Sequence, residues 1–149
     1  MKNEFVKYEQ ALSLKELGFD EECIASYDNE GDFKDPFEYN SEETDGYVTN
    51  SSLKDPKNFN ASSNLALLKD YLDNPFTAAP LYQQAFKFFR EKYDILSYIE
   101  ASPNNTFDYV TVSDDFEEKD YDDGPFKTYE EAEQSCLNKL IEMVKTNNK

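Results

Sequence analysis

Residues 79–93, Ala-Pro-Leu-Tyr-Gln-Gln-Ala-Phe-Lys-Phe-Phe-Arg-Glu-Lys-Tyr, restrict the fold more than any other stretch of this chain. At 100° per residue, Leu81, Tyr82, Ala85, Phe86, Phe88, Phe89 and Tyr93 fall within an arc of about 160°. Gln83, Gln84, Lys87, Arg90 and Glu91 take the opposite side, and only Lys92 is out of place. Pro80 has a preset φ and no N–H to leave unsatisfied, which suits the first position of a helix. The pattern predicts an amphipathic helix whose aromatic side forms the centre of a core, with Phe86 in the middle of it.

Two other helices have recognisable ends. Tyr8 to Leu17 places Tyr8, Ala11, Leu12 and Leu14 on one side, with Lys15 among them and obliged to snorkel. Gly18 then stands where a left-handed C-terminal cap belongs, and Phe19 can fold back on the last turn. Near the C-terminus, Thr128-Tyr-Glu-Glu131 is a capping box. Behind it Tyr129, Ala132, Cys136, Leu137, Leu140, Met143 and Val144 form an apolar side, with acids near the start and lysines towards the end. A shorter helical pattern covers residues 65–72.

Strand signals are fewer. Cys23–Tyr27, Ile95–Ile99 and Phe107–Val112 read as strands, the last two as an antiparallel hairpin closed by the turn at 101–105. Asp28-Asn-Glu-Gly31 reads as a turn. Tyr47–Thr49 reads as a further strand returning from the acidic stretch that follows that turn. The expected architecture is a single α+β domain over residues 1–149, three main helices on a small, mostly antiparallel sheet. Its acidic loop regions run over about 28–62 and 113–127.

Composition bears on partners. The net charge of −17 repels nucleic acid and anionic membrane and attracts a basic protein surface. The chain has no histidine, which removes imidazole acid–base chemistry, histidine-dependent nucleophiles and His-ligated zinc. Its two cysteines, Cys23 and Cys136, lack metal-site spacing and read as free thiols in a reducing compartment. The N-terminal residues lack the apolar run of a signal peptide, and no stretch has the length of a membrane span. The expected location is the cytoplasm.

The acid clusters fit known metal sites poorly. An EF-hand loop needs Gly at position six and Glu at twelve. Counting from Ser41 puts Gly46 correctly but leaves Ser at positions one and twelve. Counting from Asp120 puts Gly124 one place early. Glu117-Glu118-Lys119, with Asp108 upstream, matches the E-x-K triplet of metal-dependent nucleases, an enzyme reading opposed by the repulsion of a polyanionic substrate. A metal-dependent hydrolase and a virion or scaffold component are the competing classes. The expectation is no enzyme activity, no metal and no cofactor.

What remains is acid interleaved with aromatics, where charge steers encounter and rings anchor it. The first block supplies Asp32, Phe33, Asp35, Phe37 and Glu38 as candidate partner-binding residues. The second supplies Asp115, Phe116, Glu117, Glu118, Asp120, Tyr121, Asp122 and Asp123.

Residues 8–20, 79–93 and 129–144, in that order, resemble a group of small phage- and prophage-borne proteins. The resemblance covers the three helices and neither acidic block. The group carries no assigned activity or catalytic residues, so none transfers. It implies a phage accessory gene, and by analogy with anti-CRISPR proteins a role in binding and disabling a basic host defence enzyme such as a CRISPR effector. The protein itself would be a monomer or a small homo-oligomer.

Overall fold

The computed structural model describes residues 2–34, 48–51, 76–113, 116–118 and 124–147. It is of the α+β class, with three α-helices and two antiparallel sheets among those residues. The strands expected in one sheet divide between two. The chain also divides into two compact units, residues 5–81 and residues 82–149, with the first four residues joining the second.

In the 5–81 unit, helix α1 spans Tyr8–Glu16. Its end is a complete Schellman motif: Gly18 N–H donates to the Lys15 carbonyl at 3.0 Å and Phe19 N–H to the Leu14 carbonyl at 2.9 Å. Gly18 has φ +90°, and Leu14 and Phe19 are both buried. The start is less well equipped, since Lys7 offers no cap and only the Gln10 side chain accepts the Lys7 N–H. Lys15 is held inside the fold, donating to the Phe76 carbonyl at 3.1 Å and the Thr77 hydroxyl at 3.4 Å.

The sheet of this unit is minimal. β1 (Ser26–Tyr27) lies between β2 (Phe33–Lys34) and β3 (Thr77–Ala78), both antiparallel to it. Only the end of the expected 23–27 strand is laddered; Cys23 instead makes a lone bridge to Val48. The Asp28 turn makes the β1–β2 hairpin possible. One oxygen of its carboxylate accepts the Glu30 and Asp32 N–H groups, and Gly31 takes φ +88°. Phe5, Tyr8, Tyr27 and Phe33 cluster with ring centroids 5.0–5.7 Å apart, and Tyr27 donates to the Val6 carbonyl at 2.6 Å. Asn50 is buried and ties three segments together: its amide donates to the Phe19 carbonyl at 2.7 Å and accepts the Ala78 N–H at 2.9 Å.

In the 82–149 unit, helix α2 (Tyr82–Tyr93) begins two residues later than the proline predicts. The Pro80 carbonyl accepts the Val6 N–H and Leu81 bridges to Phe5, so both belong to the preceding unit. Tyr82, Ala85, Phe88 and Phe89 of the aromatic side are buried as expected, Tyr93 is half-buried, and the centre of the face needs a correction. Phe89 is fully buried with Ala85, whereas Phe86 is half-buried. The centre of this face is therefore Phe89, whose ring meets Phe88 and Tyr93 at 5.5 and 5.9 Å.

β4 (Leu96–Ser102), β5 (Thr106–Ser113) and β6 (Phe116–Glu118) form an antiparallel meander in that order. β6 lies within residues 113–127, where a loop is expected. Helix α3 (Tyr129–Asn147) packs on β4 and β5 and against α2. Its cap is as predicted on one side, the Thr128 hydroxyl accepting the Glu131 N–H. The returning carboxylate reaches one residue further, to the Lys127 N–H at 3.1 Å. The 65–72 helix lies outside the described residues, as does Tyr47 of the expected 47–49 strand; of the other two residues Val48 makes only the isolated bridge to Cys23 and Thr49 is not laddered.

Candidate functional site

The two acidic blocks belong to different units. Of the first, Asp32 is exposed in the hairpin turn and Phe33 is half-buried in β2, its ring engaged with Phe5 and Tyr27. Next to them the Asp28 carboxylate has a Lys34 ammonium 3.7 Å away. Asp35, Phe37 and Glu38 lie outside the described residues. Of the second block, Phe116, Glu117 and Glu118 form β6, opposite Ser113, Val112 and Thr111 respectively. Asp115, Asp120, Tyr121, Asp122 and Asp123 lie outside the described residues.

The register of β6 bears on the nuclease-like triplet. Glu117 pairs with Val112, four residues along β5 from Asp108. At the rise of a strand that is a backbone separation of about 13 Å. The Asp108 carboxylate is engaged by the Ser102 hydroxyl. Gly124 lies against the same carboxylate, where a Cβ would collide with it. Among the described residues no group of three or more acids or cysteines is placed to hold a metal ion.

Both cysteines are free and buried. Burial pushes each thiol up from 9.0 to about 12, aided by the nearby Glu21 at Cys23. At Cys136 burial again dominates, a hydrogen bond with Ser97 opposes it, and Glu133 adds to it. Neither thiol is ionised near neutrality, which removes them as nucleophiles. Glu133 is itself shifted up, first by burial and then by Glu130.

The sheet carries a feature that the sequence reading missed. Leu96 and Tyr98 are 51% and 47% exposed although they lie in β4, which is paired along its whole length with β5. Alternation along Leu96-Ser-Tyr-Ile-Glu was the available signal, since it separates two faces of unlike neighbours.

The chain matches no family model, no curated protein and no solved structure. No helix among the described residues is long and apolar enough to cross a membrane.

Proposed function

We propose that this protein is a non-enzymatic, acidic accessory protein of phage origin. It acts in the cytoplasm by binding and inhibiting a basic, nucleic-acid-handling host defence protein, as anti-CRISPR proteins do. The observation that carries the reading is the net charge of −17, concentrated in two blocks where rings alternate with carboxylates. Opposite charge accelerates encounter with a basic groove, and the same charge turns away the nucleic acid that the groove normally holds. The exposed turn at Asp28–Asp32 adds backbone rigidity to part of one block, and a rigid epitope loses less entropy on binding.

The test is affinity capture from host lysate at low and high salt, with the captured proteins identified by mass spectrometry. A basic nucleic-acid-binding protein retained at low salt, released at high salt and inhibited in its own assay is the expected result. Neutralising Asp120, Asp122 and Asp123 together, or Asp32, Asp35 and Glu38, should weaken capture without unfolding the protein. Recovery of no such protein at low salt would sink the reading.

A further inference from the structure

The open edge of the second sheet has a definite hydrogen-bonding register. Phe107 exchanges both of its backbone hydrogen bonds with Phe126, at 2.9 and 2.8 Å. The N–H and C=O of Phe107 therefore point away from β4, and so do those of Tyr109 and Thr111 by alternation along the strand. Their cross-strand partners are Ala101, Ile99 and Ser97. The backbone groups of these three residues consequently project from the far side of β4, where no strand is paired among the described residues.

The side chains beside that edge are of two kinds. Leu96, Tyr98 and Glu100 share the sheet face opposite the one that carries Ser97, which hydrogen-bonds Cys136 of α3. Of the four most exposed large apolar side chains among the described residues, Leu96 and Tyr98 are two. On the same face, Glu100 lies directly across from Asp108. Like charges in directly opposed positions destabilise a sheet, and a cation arriving on the outer edge beside Glu100 offsets part of that cost. Edge strands are commonly blunted by lysine, proline or a bulge, and Leu96–Ser102 has none of these.

We infer that β4 is a strand-addition site for an extended, basic segment of a partner protein. The incoming strand pairs with the backbone of Ser97, Ile99 and Ala101. On the outer face it sets apolar side chains beside Leu96 and Tyr98, and lysine or arginine beside Glu100. Backbone bonds supply affinity in this mode and side-chain pockets supply selectivity. Charge complementarity selects this occupant over a second copy, because two chains of −17 each would meet with Glu100 on both sides of the seam. The inference rests on the basic-partner reading above and names the surface that such a partner would use.

The test is a titration of the whole protein at low salt with a synthetic nine-residue peptide in which every second position reads lysine, valine, valine, lysine and the rest are threonine, so that one face carries both kinds of side chain, followed by amide exchange. With nine-tenths of the protein bound, exchange at Ser97, Ile99 and Ala101 should slow by about tenfold. Two variants accompany it. Ala101→Pro deletes an outward N–H at an exposed edge position, where proline is tolerated, and should abolish the protection. Glu100→Lys should raise the melting temperature by relieving the like-charge pair while weakening the peptide, an opposition that loss of folding cannot produce. Peptide binding that leaves the β4 amides unprotected, or that persists in both variants, overturns the site while leaving the basic-partner reading to its own capture test. Absence of peptide binding overturns the site as well. A peptide-free dimer protecting the same amides would assign the edge to a second copy and overturn it too.

Discussion

Phe89 and Phe86 lie three residues apart on α2, and burial separates their roles. Phe89 has no exposed surface, so Phe89→Ala leaves a cavity and should cost about 3–5 kcal/mol in chemical denaturation. Phe86→Ala removes a half-buried ring and should cost less than half as much. Asn50 makes the corresponding polar case. Asn50→Ala removes the buried partner of the Ala78 N–H and a donor to the Phe19 carbonyl and should cost about 1–3 kcal/mol, read from the urea midpoint. The thiols give a pH signature. Cys23 and Cys136 are held near 12 when folded, against 9.0 ordinarily. Below pH 9 both states keep the thiols protonated, and their full contribution to stability is present. As pH rises from 9 to 12 only the unfolded chain releases those protons, so stability falls by up to about 1.4 kcal/mol per pH unit for each thiol. Tyr27, also shifted up by burial, adds to the loss at the alkaline end. The double variant C23A/C136A should show a shallower alkaline decline than the wild type when melting temperature is followed against pH.

Element ends were the most legible part of the sequence because they are decided locally. Gly18 followed by Phe19 implied the Schellman motif, and Thr128 with Glu131 implied the start of α3; both depend on residues within one turn. The β4–β5 hairpin was legible for the same reason. The small sheet of the other unit was not. Thr77–Ala78 is a two-residue strand between Pro75 and Pro80, with no alternation to mark it, and it exists because β1 is already positioned beside it. Asn50 was equally silent, since its worth comes from backbone groups 31 and 28 residues away. Of the candidate site, composition gave the acid–aromatic blocks, but nothing local separated Phe33, packed on Phe5, from a ring available to a partner. The hairpin turn supplies a prediction at this scale. A Cβ on Gly31 would stand 2.7 Å from Cδ1 of Tyr8, at φ +88°. Gly31→Ala must therefore bear left-handed strain of about 1–2 kcal/mol and displace the Tyr8 ring as well. It should destabilise more than Gly18→Ala, with the difference visible in paired thermal melts.

The whole molecule is dominated by its charge. With 32 acids against 15 bases, the compact state repels itself more than the expanded chain does. Raising sodium chloride from about 10 mM to about 500 mM shortens the range of that repulsion and should raise the melting temperature. A molecule held together by surface ion pairs would respond in the opposite direction. The open edge of β4 has a consequence on this scale too. Backbone groups on a seven-residue strand that no described strand pairs are what a growing fibril recruits, and in this chain electrostatic repulsion between copies stands guard over them. That guard is a titratable one, and it lapses as pH falls towards the isoelectric point of about 4.2. In an acidic compartment, or in an acid elution step, the edge that neutral pH keeps solitary becomes adhesive, and the colloidal stability of the protein is set by proton activity.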